Sequence, residues 1–273
     1  MIVDRFERRI VDAILYGSVL AILVFFYIPI VTLVVFSLTE SRFLTYPIES
    51  YSTKWYIELF ADKDFLPALG NSAFLAVVTT IVATALGTAG AIVWIRLQFR
   101  FKRVFQIISF APLLFPQLLL GVVMLLWFSV VGNWLDFSPS IWTAAIGHII
   151  YITPFALVIV AVQVVGFDDT LEDAARDLGA SDIEVLKEVT LPLLWPGIMS
   201  AAIFAFLLSW GNFYLTYSLS GTARTLPTYV FSGIAVGSSP VYPALATLTF
   251  VPSLLLVGAA DFYRRKLAKR KTV

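Results

Sequence analysis

Long apolar stretches separated by short polar segments dominate the sequence. A helix needs about 20 mostly apolar residues to cross the hydrocarbon core of a bilayer. Six stretches meet this requirement, and none of them carries an Asp, Glu, Lys or Arg deep within it. The pattern therefore predicts six transmembrane helices, at roughly residues 11–36, 71–95, 104–131, 141–165, 197–219 and 240–262.

Composition and charge place the chain in a membrane and indicate its orientation. Of the 273 residues, 59% are hydrophobic and 14% are charged, which excludes a soluble globular protein. Fifteen of the 19 Lys and Arg residues lie in segments on one side of the predicted helices, together with both termini. Basic residues are enriched on the cytoplasmic side of membrane proteins. We therefore expect a multi-pass protein of the plasma (inner) membrane with both termini in the cytoplasm.

Residues able to carry chemistry are few, and this argues against several functional classes. The chain has no Cys and a single His, His148, so thiolate and multi-His metal sites are excluded. Charged residues inside a membrane mark proton relays and ion-coupled carriers, and the predicted helices have none at depth. These features argue against a self-contained secondary carrier and against a membrane-embedded enzyme. If the chain moves a solute, the energy is expected to come from another subunit, and His148 is expected to bond to a neighbouring helix.

The 31-residue segment between the fourth and fifth predicted helices has the pattern of a folded loop. Thr170 with Asp173, and Ser181 with Glu184, match the capping box that begins a helix. Gly179 follows the first predicted loop helix at the position of a left-handed C-cap. The apolar positions are Leu171, Ala174, Ala175 and Leu178 on the first helix and Ile183, Leu186 and Val189 on the second. Two explanations stay open: a loop packed on its own helices, or a docking surface for a cytoplasmic partner.

The same loop resembles the EAA loop of binding-protein-dependent ABC transporter permeases. The family pattern is EAA-x3-G-x9-I-x-LP, and its spacing is matched throughout by Asp173-Ala174-Ala175, Gly179, Val189 and Leu191-Pro192. Asp173 replaces the usual Glu, and Val189 replaces the usual Ile. The resemblance extends over roughly residues 70–262, with the first predicted helix as an additional N-terminal span.

This resemblance implies an all-α integral membrane protein with the type I ABC importer permease fold, six transmembrane helices and cytoplasmic coupling helices. It implies one transmembrane domain over 1–273, a core permease region over 70–262 and a coupling loop over 166–196. In that family the coupling loop contacts the ATPase subunit. The matching positions here are Asp173, Ala174, Ala175, Gly179, Leu191 and Pro192.

The resemblance further implies a subunit of an ATP-driven importer that passes solute by alternating access. Its expected partners are a second permease subunit in a heterodimer, a dimer of ATP-binding subunits, an extracellular solute-binding protein and membrane lipid, but no nucleic acid. The chain lacks the GxxxxGK[ST] loop that cradles ATP, so hydrolysis is expected on a separate subunit. We expect no catalytic residue, metal or cofactor on this chain.

Helix breakers and polar residues at membrane depth are candidates for the translocation pathway. The candidates here are Gln117, Trp210, Asn212 and Tyr214, although such residues also hold helices together. The stretches APLLFPQLLLG, SWGNF and TLPTYVFSGI resemble the spermidine/putrescine-type second permease subunit. Members of that subgroup carry acids at the positions of Gln117 and Gly211-Asn212. Neutral side chains suit a polycation less well, so a polyamine-like solute and a neutral or anionic one, such as a sugar or phosphonate, both stay open.

Two extracellular segments are expected to act at the outer face of the membrane. Residues 37–70 carry aromatic side chains among charges, and they either receive the binding protein or cap the helices. Residues 220–239 resemble the segment that closes the pore mouth in related permeases as a partly helical gate.

Overall fold

The computed structural model describes the backbone of residues 2–237 and 239–270, and side chains for residues 9–237 and 239–250 and for Leu254, Leu255, Gly258, Ala259 and Phe262. Over these residues the chain is almost entirely helical, as expected where backbone groups must pair within lipid. The helices are α1 (Ile2–Ser37), α2 (Lys54–Ala61), α3 (Phe65–Arg96), α4 (Lys102–Phe110), α5 (Gln117–Leu135), α6 (Ile141–Val165), α7 (Thr170–Asp177), α8 (Asp182–Glu184), α9 (Leu191–Trp210), α10 (Tyr214–Leu219), α11 (Leu226–Val236) and α12 (Val241–Arg270). A 3-10 turn over Ala111–Leu114 follows α4, and a π-helical stretch over Val185–Thr190 joins α8 to α9.

Within the described residues, five helices are long and apolar enough to cross a membrane. They are Arg9–Ser37, Phe65–Arg96, Gln117–Leu135, Ile141–Val165 and Asp182–Trp210. The predicted span over 141–165 is confirmed with identical bounds, and those over 11–36 and 71–95 fall within longer helices. The predicted span over 240–262 falls on α12, where many side chains lie outside the described residues.

The third predicted span, 104–131, is wrong as a continuous helix. The chain forms α4 and a 3-10 turn, and α5 begins only at Gln117. Proline explains the break, because its ring fixes φ and drives the preceding residue out of the helical region. Phe115, which precedes Pro116, accordingly has φ −94° and ψ 134°. The part able to cross the membrane is therefore Gln117–Leu135.

The fifth predicted span, 197–219, is displaced toward the loop. Helix α9 begins at Leu191 and ends at Trp210, and residues 211–213 separate it from α10. Pro192 lies in the first turn of α9, where the π-helical stretch changes to α-helix. The π-helical stretch leads directly into α9, so the second loop helix continues into the span.

Contacts divide the chain into two compact units. The first comprises Met1–Asp62 with Gly233–Leu256, and the second comprises Lys63–Ser232 with Val257–Val273. The second unit holds the coupling loop and all four candidate pathway residues. The predicted single transmembrane domain and its core permease region stay predictions.

In the first unit, hydrogen bonds fold the segment that follows α1. Trp55 donates its indole N–H to the Thr39 carbonyl at 2.6 Å, and the hydroxyl oxygens of Ser37 and Tyr56 lie 2.8 Å apart. Trp55 and Leu59 are buried, so α2 is anchored along one side. The most apolar stretch of α1 has no buried residue within the chain, which leaves its side chains available to lipid or to another subunit. A role of the segment in receiving a binding protein stays a prediction.

In the second unit, α3, α6 and α9 pack against one another through small residues. Gly87 on α3 lies so near α6 that a Cβ atom there would come 2.6 Å from the Ala156 Cβ. Small residues let helix backbones approach closely, which is a main source of helix association in membranes. The buried residues at this packing centre are Ala91, Ala156, Leu157, Val160, Ala161, Val164, Leu194 and Ala201.

Gly87→Ala is expected to destabilise the second unit by about 1–3 kcal/mol, the usual cost of overpacking. The added methyl group would also meet the Leu157 backbone nitrogen at 2.8 Å, which cannot move away easily. Gly70→Ala is the matched control, because Gly70 lies on the same helix and its Cβ would meet nothing within 4 Å. Thermal unfolding of both purified variants in detergent measures the difference. Equal melting temperatures for the two variants would contradict the close packing of α3 on α6.

Candidate functional site

The coupling loop begins with a side-chain cap from Asp168. Its Oδ1 accepts hydrogen bonds from the Thr170 hydroxyl at 2.7 Å and from the Thr170 backbone N–H at 3.1 Å. The predicted capping box of Thr170 with Asp173 is therefore wrong, and Asp173 instead accepts from Arg176 at 3.0 Å. The hydroxyl and the N–H of Thr170 both favour the carboxylate and lower the pKa of Asp168. The cap is consequently kept at neutral pH and is lost as the pH falls through that lowered pKa.

Helix α7 ends in a Schellman motif at Gly179, which confirms the predicted C-cap. Gly179 has φ +93°, a left-handed conformation that glycine adopts without steric cost. Its N–H donates to the Arg176 carbonyl at 2.9 Å, and the Ala180 N–H donates to the Ala175 carbonyl at 3.1 Å. A Cβ atom on Gly179 would meet nothing in the chain within 4 Å. The backbone turn thus favours glycine, while the space beside it is open.

Ser181 begins the second loop helix with the predicted capping box, which is confirmed. The Ser181 N–H donates to Glu184 Oε2 at 2.8 Å, and the Glu184 N–H donates to Ser181 Oγ at 3.5 Å. The N–H and the hydroxyl of Ser181 lower the pKa of Glu184. In the π-helical stretch that follows, Val185 and Thr190 are buried. Of the apolar positions predicted on this helix, Ile183 and Leu186 are exposed and Val189 is half-buried.

An ion pair between Arg96 and Glu172 fixes α7 to the end of α3. Arg96 Nη1 donates to Glu172 Oε1, and the same oxygen accepts a hydrogen bond from the Thr190 hydroxyl. Burial raises the pKa of Glu172, but the hydrogen bonds from Thr190 and Arg96 and the charges of Arg96 and Arg176 outweigh burial and lower it overall. The ionised pair is therefore present at neutral pH, and its contribution is lost only as the pH falls through the lowered pKa of Glu172.

Sequence reasoning missed Glu172, because it considered the apolar positions of α7 and the residues that match the EAA pattern. Two signals were available: Arg96 closes the second predicted span on the same side of the membrane, and Glu172 precedes Arg176 by four residues. Such i, i+4 pairs share a helix face. The Arg176 Nη2 atom lies 3.6 Å from Glu172 Oε2.

The residues of the EAA-like pattern lie mostly on the outward side of the loop. Asp173, Ala174, Gly179 and Pro192 are exposed, whereas Ala175 and Leu191 are half-buried. The apolar positions Leu171 and Leu178 are 48% and 90% exposed, so the predicted apolar face of α7 does not pack on the chain itself. The loop is held to its own helices through Glu172, and it leaves small and apolar side chains accessible.

The second unit contains two helix breaks, one before α5 and one before α10. Helix α10 packs along α5, and a Cβ atom on Gly121 would lie 2.8 Å from Ser218 Oγ and 3.4 Å from the Tyr214 carbonyl oxygen. Gln117 begins α5 one turn before Gly121, and Tyr214 begins α10. Gln117 is half-buried and Tyr214 is exposed. Their part in a pathway stays a prediction.

Asn212 and Trp210 make packing contacts at the break between α9 and α10. Asn212 is buried, and its Oδ1 accepts the Leu215 N–H at 3.1 Å, which caps α10. Trp210 is half-buried and stacks on Phe206, with ring centroids 5.7 Å apart and an interplanar angle of 17°. Asn212 therefore stabilises the break, whereas the Trp210 stacking lies within α9, and the part of both residues in a pathway stays a prediction.

His148 joins α6 to two other helices, as predicted from the sequence. Its Nδ1 lies 2.9 Å from Ser209 Oγ on α9, and its Nε2 lies 3.0 Å from Thr216 Oγ1 on α10. The Thr216 hydroxyl donates its own hydrogen to the Asn212 carbonyl at 2.9 Å, so its oxygen accepts from Nε2–H. All three side chains are buried, and a ring protonated at Nε2 satisfies both hydroxyls.

At the end of α3 opposite Arg96, an ion pair and a hydrogen bond connect the helix to residues 222–224. Arg224 Nη1 lies 2.9 Å from Asp64 Oδ2, and the Arg224 carbonyl accepts from the Asn71 amide at 2.8 Å. These residues line a cleft of about 340 Å³ together with Pro67, Ala68, Thr222 and Ala223. The segment 220–239 is partly helical, as expected, because it contains α11. Its role as a gate stays a prediction.

Comparison with known proteins assigns the chain to a family. The family described as binding-protein-dependent transport system inner membrane component matches residues 83–273. The chain belongs to this family. It is therefore the membrane-spanning permease subunit of an ABC importer, a multi-pass transport protein.

Curated relatives agree with this assignment along most of the permease. The spermidine/putrescine transport system permease protein PotC of Escherichia coli K12 is 32% identical over 257 residues, covering 94% of this chain and 96% of the relative. The putrescine transport system permease protein PotI of the same strain is also 32% identical, covering 91% of this chain and 89% of the relative. The expected resemblance to the spermidine/putrescine-type permeases is confirmed.

Solved structures confirm the fold. A bacterial alginate ABC transporter in complex with an alginate pentasaccharide-bound periplasmic protein superposes with a TM-score of 0.75 at 18% identity, covering 97% of both chains. The methionine ABC transporter MetNI, in an inward-facing conformation, gives a TM-score of 0.57 at 17% identity, covering 79% of this permease and 97% of the matched chain. The predicted type I ABC importer permease fold is therefore correct.

His148→Leu is expected to destabilise the permease by about 1–2 kcal/mol, the scale of interhelical hydrogen bonds in membranes. The variant leaves the buried hydroxyls of Ser209 and Thr216 without the imidazole between them. Thr153→Ala is the matched control, because Thr153 lies on the same helix and bonds to the Ile149 carbonyl of that helix. Melting temperatures in lipid nanodiscs compare the two variants. A shift for His148→Leu no larger than that for Thr153→Ala would contradict the bridging role.

Proposed function

We propose that this permease takes up a small polar organic solute from an extracellular binding protein and releases it into the cytoplasm by alternating access. ATP hydrolysis takes place on a pair of separate ATP-binding subunits, and a second, similar permease completes the pathway. Both termini lie in the cytoplasm, since the basic residues concentrate in the segments on that side. The chain itself supplies the pathway and the docking surface for the ATPase.

The observation that carries this proposal is that the two sides of helix α7 in the coupling loop differ. One side of α7 is fixed to α3 and α9 through Glu172, and the other side presents Ala174, Leu178 and Gly179 to solvent. Small residues allow another protein to approach the backbone closely, and exposed apolar residues beside them favour burial in a partner. A loop that packed only on its own helices would bury these residues.

The loop also has a direct route to the membrane. Helix α8, the π-helical stretch and α9 form a continuous helical segment, Asp182–Trp210, whose far end borders the break before α10. Closure of two ATPase subunits around ATP displaces the docked loops, and rigid helices pass that displacement on to the pathway. In this arrangement the permease needs no catalytic group.

For the solute, we favour a polyamine-like organic molecule. PotC and PotI are named as permeases for spermidine and putrescine, and both align with nearly the whole chain. The pathway candidates Gln117, Trp210, Asn212 and Tyr214 contribute amide and aromatic groups, and aromatic faces bind amines through cation–π contacts.

One observation favours a second candidate, a neutral or anionic solute such as a sugar or phosphonate. Gln117 and Asn212 are uncharged, whereas a carboxylate at either position would attract a polycation. The charge of the solute is therefore the property that an experiment has to determine.

Gly179→Asp tests the docking of the coupling loop. The change places a charge in the proposed close approach, so we expect the ATPase to be lost from the purified complex and ATP-driven uptake to fall at least about tenfold. A Cβ at Gly179 would meet nothing in the permease, but any side chain at φ +93° strains the turn, so the amount of permease in the membrane is measured together with the bound ATPase. Co-purification of the ATPase, vanadate-sensitive ATP hydrolysis and uptake are measured together.

Gly237→Asp serves as the matched control, because Gly237 is also exposed with nothing within 4 Å but lies on the predicted extracellular side. It should retain the ATPase. Normal uptake and a normal amount of bound ATPase in Gly179→Asp would refute the docking role. Uptake by the permease in the absence of any ATPase would establish a self-contained secondary carrier.

Asn212→Asp tests the charge preference of the pathway. A carboxylate can still accept the Leu215 N–H, so the cap of α10 is kept. If Asn212 lines the path, uptake of putrescine should rise relative to neutral diacetylputrescine by about tenfold, which corresponds to roughly 1.4 kcal/mol. Asn133→Asp makes the same change at an exposed position of α5 and should leave the ratio unchanged. An unchanged ratio in Asn212→Asp would remove Asn212 from the pathway.

A further inference from the structure

One carboxylate oxygen of Glu172 connects three helical elements. It accepts a hydrogen bond from Arg96, the last residue of α3, and another from the hydroxyl of Thr190, the last residue before α9. Glu172 itself lies in the first turn of α7. The ends of two membrane helices and the start of the docking helix therefore meet at a single atom.

Glu172 is buried, unlike the other charged residues of the loop. Among the described residues, Glu172 is the one Asp, Glu, Lys or Arg that is buried, at 6% exposure. Its immediate neighbours Leu171 and Asp173 are exposed. A charge withdrawn from water needs a close partner of opposite sign, and removal of that partner leaves an uncompensated charge. The Arg96 side chain, 18% exposed, is that partner.

Arg96 is held from several directions. Its guanidinium carbon lies 4.5 Å from the centre of the Phe167 ring, in the range of a cation–π contact. Its Nη2 lies 3.6 Å from Asp169 Oδ1, at the start of α7. Within the described part of the chain, the ion pairs that join α3 to the coupling loop are those of Arg96 with Asp169 and Glu172. The Arg96 guanidinium thus gives α7 a direct polar connection to α3.

The guanidinium also has N–H groups that form no hydrogen bond. Its Nε and Nη2 atoms are buried without a hydrogen-bond acceptor, so the bidentate geometry that Arg and carboxylate favour is not used. Asp169 Oδ1 lies 3.6 Å from Nη2, just beyond hydrogen-bond distance, so a small displacement of α7 would let this bond form. The pair can therefore stay intact while α7 changes its angle to α3.

We propose that Arg96 and Glu172 are positioning residues that transmit the displacement of the docked coupling loop to α3 and α9. This inference rests on the proposed function, since it assigns the contact through which ATPase motion reaches the membrane helices. We call this ion pair the latch. It is buried, and the unused N–H groups of Arg96 allow it to stay formed over a range of α7 positions. Loss of the latch uncouples ATP hydrolysis from transport without removing the ATPase.

The test uses the full complex with Glu172→Gln, Arg96→Gln and the double variant. Glu172→Gln keeps the size of the side chain but removes its charge. Each single variant leaves one buried charge or polar group poorly paired, whereas the double variant removes both charges. Glu188→Gln makes the same change at an exposed residue of the same loop and is the matched control. Reconstituted complexes are assayed for bound ATPase, ATP hydrolysis and uptake of radiolabelled putrescine.

We expect Glu172→Gln to keep the ATPase and to hydrolyse ATP within about twofold of the wild type, while putrescine moved per ATP falls about tenfold. The double variant should recover a wild-type amount in the membrane but keep the low transport ratio. Glu188→Gln should match the wild type in all assays. A double variant whose ratio returns to within about twofold of the wild type overturns the proposal, because the pair then serves stability alone. An unchanged ratio of putrescine moved to ATP hydrolysed in Glu172→Gln also overturns the proposal.

A second readout is independent of transport. The chain has no Cys, so Leu178→Cys introduces a single thiol at a side chain that is 90% exposed, near the end of α7. A spin label there should become more mobile in Glu172→Gln and in the double variant, but not in Glu188→Gln. Unchanged mobility overturns the latch. If the wild-type complex takes up no putrescine, the polyamine-like solute is ruled out, and the label on the permease alone still decides whether Glu172 holds α7.

Discussion

Inside the hydrocarbon core every backbone N–H and C=O must find its partner within the protein, because no water is present to replace it. This constraint favours the long helices of the permease and makes each interruption costly. The interruption at residues 211–213 is compensated by Asn212, whose side chain caps α10 and whose carbonyl accepts from Thr216. The interruption before α5 uses Pro116, which has no N–H to satisfy. Polar groups therefore gather where the helices break, in the packed part of the second unit.

Close packing of small residues is the second requirement of this unit. Gly87 lets α3 lie against α6, and Gly121 lets α10 lie against α5. His148 adds directional bonds between α6 and the two sides of the α9–α10 break. Together these contacts keep the interruption in a fixed place, which is a condition for a defined route through the membrane. Gln117 begins α5 and Tyr214 begins α10, the two helices that Gly121 lets pack together.

Much of the fold follows from local features of the sequence. The span over 141–165 has the predicted bounds, and the loop helices end and begin where Gly179 and Ser181 indicate. Hydropathy measures the free energy of transfer into lipid and not backbone geometry, which is why it joined α4 to α5 across Pro116. The Thr170 box was wrong because Asp168, two residues earlier, offers a competing acceptor. Glu172 was missed because its partner Arg96 lies 76 residues away, beyond any local pattern.

The continuous helical segment Asp182–Trp210 has a mechanical consequence. At about 1.5 Å per residue its 29 residues amount to a lever arm of at most about 43 Å. A tilt of about 5° that pivots at the Asp182 end would then displace the Trp210 end by up to about 4 Å. If a partner docks on the loop as proposed, its modest movements would thus be amplified along the helix, toward the point where α10 begins.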